Sequence, residues 1–161
     1  MRSLKHFAKI IICTLYLFSS FAFAQDRYVV LAYHSVVDES AAENQKHYFP
    51  QTISAQMLIQ HFNWLKENGY NVISWQQVID AENGKGTLPD NAVLLSFDDG
   101  YETMYNVVFP LLKAYNYPAV FAPVTGWLDT PENQKIAYAD KMLDRSVFAT
   151  WAQVKEMEQS G

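Results

Sequence analysis

Apolar runs alternate with stretches of helical periodicity along this chain, regularly enough to draw a topology. Residues 27–33 (Arg-Tyr-Val-Val-Leu-Ala-Tyr) are rich in β-branched and aromatic side chains and stop at His34-Ser35, which predicts a first strand. A mostly polar loop follows, as far as Pro50. Met57, Leu58, His61, Phe62 and Leu65 then recur at helical spacing behind Ser54, a good N-cap, and Gly69 closes that helix. Residues 70–73 read as a short strand, Ser74 caps a second helix through Ile79, and Asn83-Gly84-Lys85-Gly86 with Pro89 and Asp90 is loop punctuation. Residues 92–97 are continuously apolar, as a strand buried on both faces requires. Beyond them Met104, Val107, Val108, Leu111 and Leu112 are spaced for a helix. Pro110 interrupts it, which predicts one helix ending near Val108 and another starting at the proline. Residues 119–122 form another short strand, residues 123–144 read as irregular, and a last helix begins near Thr150. The order β-α-β-α-β-α-β-α predicts an α/β fold with a parallel sheet or barrel and helical crossovers.

The buried strand stops abruptly at Ser96-Phe97-Asp98-Asp99-Gly100-Tyr101. Two acids therefore sit at a strand's carboxyl end, where α/β folds gather the loops that carry chemistry. The plainer alternative is a hairpin turn at Asp99-Gly100 with Asp98 as a solvated neighbour. His34 ends the first strand, so in a parallel arrangement it opens onto the same crevice. His61 falls on the apolar face of its helix and is expected to be structural, His47 lies in the polar loop, and His6 precedes the domain.

Composition narrows the picture. A chain of 161 residues with 50% hydrophobic content suits one folded domain with a core. Its first 24 residues are of another kind: Arg2, Lys5 and Lys9 precede an apolar stretch from Ile10 to Phe18, and Ala22-Phe23-Ala24 resembles a cleavage site. We expect a signal peptide over residues 1–24, a domain over residues 25–161, and export to the periplasm, the cell surface or the medium. Ser19 and Ser20 interrupt the apolar stretch, so no stable membrane span is expected after cleavage. Cys13, the single cysteine, lies in that segment, which excludes disulfides, thiolate metal sites and cysteine nucleophiles from the mature chain. The segment also holds three of the 12 basic residues and none of the 17 acidic ones, leaving the mature chain at a net charge of −8. A nucleic-acid partner, which needs clustered Lys and Arg, is not expected.

Ser96-Phe97-Asp98-Asp99-Gly100-Tyr101 resembles the first motif of the polysaccharide deacetylases, carbohydrate esterase family 4, whose domain is also called the NodB-homology domain. Four further segments resemble one branch, the poly-β-1,6-N-acetylglucosamine N-deacetylases of biofilm-forming bacteria: Tyr33-His34-Ser35, Asn68-Gly69-Tyr70, Val108-Phe109-Pro110 and Pro118-Ala119-Val120-Phe121. The resemblance implies an irregular (β/α) barrel of which this chain holds the N-terminal part. It implies metal-dependent hydrolysis of N-acetyl groups on a hexosamine polymer, with an N-acetylated polysaccharide as the binding partner.

Residue by residue, it implies that Asp98 is the general base, Asp99 a ligand of a divalent metal, expected to be zinc, and His34 the general acid. The backbone N–H of Tyr101 would be the donor to the developing oxyanion. The family's metal site also needs a histidine pair at His-x(3–5)-His spacing after the Thr150 helix. Those ligands are expected beyond Gly161, and the 161 residues alone are expected to be an inactive fragment. Trp127, Tyr33 and Tyr101 carry rings able to stack on sugars, Trp127 being the candidate contact, although aromatic rings are more often core. Two rival readings remain: an inert glycan-binding module with the same fold, and a glycoside hydrolase using Asp98 and Asp99 as its carboxylate pair. Adjacent residues of one strand point to opposite sides, which disfavours the second.

Overall fold

The computed structural model describes residues 27–38, 49 and 51–160. The predicted signal peptide, with His6 and Cys13, and the loop residue His47 lie outside the described residues.

The chain is built around one strand, β5 (Ala92–Asp99). β1 (Tyr28–Tyr33) runs parallel to it in the register Tyr28 to Ala92 through Tyr33 to Phe97. β4 (Asn71–Ile73) pairs with its amino-terminal half and β6 (Val120–Pro123) with its carboxyl-terminal half, both parallel. Ser96 and Phe97 are matched to β1 and to β6 at once, so β6 continues along the edge that β4 occupies lower down. A short parallel pair, β2 (Val36–Val37) with β3 (Ile53–Ser54), stands apart from this sheet. Val36 and Val37 are buried, so the predicted loop begins inside the protein.

Both faces of β5 are covered, which is why its sequence is continuously apolar. Val93, Leu95 and Phe97 pack with Leu58 and Phe62 of α1 (Ala55–Glu67), while Ala92 and Leu94 pack with Val78 of α2 (Trp75–Glu82). Both helices start where predicted. Ser54 accepts from the Met57 amide, and Ser74 with Gln77 forms a reciprocal capping box.

Three expectations are corrected. First, Pro110 breaks no helix: a π-helical turn over Met104–Val108 runs straight into α3 (Phe109–Tyr115), and the Phe109 amide reaches back to the Met104 carbonyl. The wider turn relieves the clash between a proline ring and the carbonyl four residues earlier, and it absorbs the missing N–H. Second, residues 123–144 are ordered. They contain α4 (Thr125–Leu128) and an antiparallel hairpin of β7 (Lys135–Tyr138) and β8 (Lys141–Asp144). Third, β5 is longer than its apolar run and includes both acids. A 3₁₀ turn (Arg145–Val147) then leads to α5 (Trp151–Gln159), capped by Thr150 and Gln153. No described helix is long and apolar enough to cross a membrane.

Candidate active site

β5 reaches two residues past its apolar run because β6 keeps it paired there, Asp98 with Ala122 and Asp99 with Pro123. Both carboxylates are thus carried on hydrogen-bonded backbone. Asp98 shares a face of the strand with Ser96, as alternate residues do. The Ser96 hydroxyl donates to Asp98 Oδ1 at 2.7 Å, which takes one carboxylate oxygen and holds the side chain's rotation.

Asp99 and Gly100 then turn the chain out of the sheet through two successive left-handed conformations, φ +68° and +81°. Aspartate tolerates that region better than most side chains, and glycine adopts it freely. Gly100 is constrained a second time, because a Cβ there would lie 2.9 Å from Pro123 Cβ and 3.1 Å from Pro123 Cα.

The turn is gripped from outside the sheet. The Gly100 carbonyl accepts from the Ala149 amide at 2.8 Å. Ala149 belongs to a segment organised by Arg145, whose buried guanidinium donates to four carbonyls: Thr130 at 3.1 Å, Phe148 at 2.7 Å, Leu128 at 3.0 Å and Ala149 at 2.8 Å. A planar fork of five donors suits that task. On the other side of the turn, Tyr138 of the hairpin donates to Asp99 Oδ2 at 3.4 Å and accepts from the Tyr101 hydroxyl at 2.9 Å. Burial pushes the Tyr101 phenol well above its ordinary range, reinforced by the bond to Tyr138 and by the negative charge of Asp99.

The four residues singled out from sequence come to one end of the sheet. His34 follows the last β1–β5 pair, Tyr33 with Phe97, so one further step of that register sets it beside Asp98. Its side chain is half-buried. Asp98, Asp99 and Tyr101 follow one another in the strand and turn, and no acceptor among the described residues takes the Tyr101 amide. The rings of Tyr101 and Tyr33 are core, 1% and 9% exposed, so neither is placed to stack on a sugar. Trp127 is half-buried, its ring 4.6 Å from that of Phe148. His61 is exposed at the helix surface, and its Nδ1 stands 3.2 Å from the Tyr33 hydroxyl, a structural contact. Sequence reasoning missed Ser96, Tyr138 and Arg145. A serine two positions before an aspartate on a strand was a readable signal for the first; the other two lie in the segment taken as irregular.

A metal would find one carboxylate in Asp99, with Oδ2 bonded to Tyr138 and Oδ1 as its other oxygen. Among the described residues no group of three or more His, Cys, Asp and Glu side chains converges. The described chain therefore offers part of a ligand set, where catalytic zinc sites commonly use about three protein ligands. Two grooves, of about 760 Å³ beside α3, β6 and α5 and about 400 Å³ between β1 and α1, include neither aspartate.

The chain that carries this strand and turn is similar to known proteins. Residues 85–161 fit the model of the family described as polysaccharide deacetylase, and the chain belongs to that family. Its similarity extends to proteins named as poly-β-1,6-N-acetyl-D-glucosamine N-deacetylases. It is 41% identical over 133 residues to the poly-β-1,6-N-acetyl-D-glucosamine N-deacetylase of Escherichia coli K12, a match covering 83% of this chain and 19% of that protein. A solved de-N-acetylase from Aggregatibacter actinomycetemcomitans is 75% identical with a TM-score of 0.78, over 84% of this chain and 52% of that one. The deacetylase domain of BpsB from Bordetella bronchiseptica is 38% identical with a TM-score of 0.66, over 85% and 53%. The chain thus spans about half the length of these solved relatives, and its fold is part of the family's barrel.

Proposed function

We propose that this chain is part of a metal-dependent enzyme that removes N-acetyl groups from an exported hexosamine polymer, poly-β-1,6-N-acetylglucosamine. The observation that carries the reading is the pair Asp98 and Asp99 at the carboxyl end of β5, with His34 one residue beyond the last β1–β5 pair and the Tyr101 amide just past the turn. Asp99 would hold a divalent metal, proposed to be zinc, whose chemistry is to strengthen water as a nucleophile and polarise the acetyl carbonyl.

The protein's own groups do the rest. Asp98 accepts the proton of the attacking water on the oxygen that Ser96 leaves unbonded. As the acetyl carbon becomes tetrahedral, the Tyr101 N–H donates to its oxygen from a position fixed by the turn. When the C–N bond breaks, His34 protonates the departing sugar amine, and acetate is released. Residues 1–24 are proposed to direct export, which brings the enzyme to polymer in the periplasm or at the cell surface.

The test is acetate release from N-acetylglucosamine oligomers by the full-length gene product supplied with zinc. Asp98→Asn should lower kcat by about a hundredfold or more while leaving the fold intact. Oligomer binding without acetate release would sink the reading in favour of an inert glycan-binding module. New reducing ends without acetate would favour a glycoside hydrolase.

A further inference from the structure

We propose that Tyr138 is a positioning residue for Asp99, and that the β7–β8 hairpin serves the active site through it; the proposal rests on the deacetylase reading above. Each phenol has one proton to donate. The Tyr101 hydroxyl spends its proton on Tyr138 at 2.9 Å, so the Tyr138 proton is the one that faces Asp99 Oδ2 at 3.4 Å. The order Tyr101 to Tyr138 to Asp99 is fixed by its end point, since an ionised carboxylate only accepts. Hydrogen bonds in such a series strengthen one another.

The donor cannot swing away. The Tyr138 ring is flanked by Phe49 at 5.3 Å, Trp127 at 5.5 Å, Tyr101 at 6.4 Å and Phe148 at 6.5 Å between centroids. Asp99 is constrained from its own side by a left-handed backbone at φ +68°. With Oδ2 held, Oδ1 is the oxygen presented for ligation, and a carboxylate oriented in this way loses less freedom when it binds. A separation of 3.4 Å is long for O–H···O, and hydrogen bonds at catalytic groups commonly tighten once the site is filled.

The hairpin is docked on the core that lies behind the turn: Ile136 packs with Phe49, Tyr101, Val147 and Phe148, and Tyr138 and Leu143 lie partly buried against the same cluster. Ile136 is the one buried residue of its two strands. Among the described residues its one ion pair, Lys135 with Asp144 at 3.5 Å, is exposed, and its turn places Ala139, which follows Tyr138, at φ +49°, where glycine is usual.

The experiment compares Tyr138→Phe with wild type in the full-length gene product. The substitution keeps the ring and deletes only the hydroxyl. Zinc affinity, measured by equilibrium dialysis with the metal alone, should weaken about tenfold, as loss of a ligand's hydrogen-bond partner typically does. kcat should fall with KM unchanged, the thermal midpoint should hold, and the metal-free ¹³C resonance of the Asp99 carboxyl should move while that of Asp98 stays. Unchanged zinc affinity and kcat in Tyr138→Phe would overturn the proposal. If wild type binds zinc but releases no acetate, the deacetylase reading fails while the affinity comparison still decides the role of Tyr138. If wild type binds no zinc, the Asp99 resonance decides it, and an unmoved resonance overturns it.

Discussion

Gly100 occupies the tightest position near the two aspartates. Its φ of +81° and its approach to Pro123 act together, so a methyl group there meets strained backbone and a proline ring at 2.9 Å with nowhere to move. Gly100→Ala should cost about 1–3 kcal/mol, read as a lower urea midpoint with an unchanged slope; an unshifted midpoint would contradict the packing described. Tyr33 allows a different test. Burial raises its phenol above the ordinary value. The unfolded chain gives up that proton near pH 10 while the folded chain keeps it. The stability it contributes is therefore complete below about pH 10 and is lost as pH rises beyond it. Urea titrations at several pH values should show a steeper alkaline decline for wild type than for Tyr33→Phe, and parallel curves would refute the assignment.

Between elements, the stretch from Arg145 to Ala149 decides how the Asp99-Gly100 turn is held. Arg145 joins carbonyls on either side of the hairpin, at Leu128 and Thr130 before it and at Phe148 and Ala149 after it, and Ala149 in turn holds Gly100. Lysine brings the charge without the fork, so Arg145→Lys leaves buried carbonyls unpaired. It should destabilise by about 3 kcal/mol. Hydrogen exchange gives the local readout: the Ala149 amide should lose protection before the amides of β5, and simultaneous loss would mean that the link is not local. The elements with long periodicity were legible in the sequence because one apolar face specifies them. The hairpin was not. Its strands have four residues each, its turn is Ala139-Asp140 rather than Asn-Gly, and its stability comes from rings distant in sequence. The π-helical turn before α3 was equally hidden, since Pro110 reads as a breaker until the wider turn accommodates it.

At the scale of the molecule, the sheet is open among the described residues: β1 and β6 each pair only with β5. Val29 and Val30 on β1 are 55% and 49% exposed, and the groove between β1 and α1 runs beside that edge. The groove beside α3 and α5 reaches Ala119 and Phe121 at the opposite edge. Unpaired strand edges with apolar flanks invite pairing with other chains. The 161-residue chain should therefore self-associate as its concentration rises, which a dilution series followed by light scattering will show; a monodisperse monomer at high concentration would contradict this. The solved relatives are about twice as long as the region matched here, and the same measurement on one of them should show much less association.

The sequence by itself determined the strand at the centre, the helices that cover it and the placing of Asp98, Asp99 and His34 at strand ends. Local periodicity and end signals carry that information, and a parallel sheet turns it into proximity. It also singled out Ser96-Phe97-Asp98-Asp99-Gly100-Tyr101 as the segment on which the proposed chemistry rests. Tertiary structure alone decided how the turn is held: β6 extending β5 through both acids, Pro123 excluding any side chain at Gly100, Arg145 gripping the segment behind it, and Tyr138 reaching Asp99. Each of these is a contact between segments far apart in the chain. Their geometry depends on packing around a common core, and no local pattern of residues encodes it.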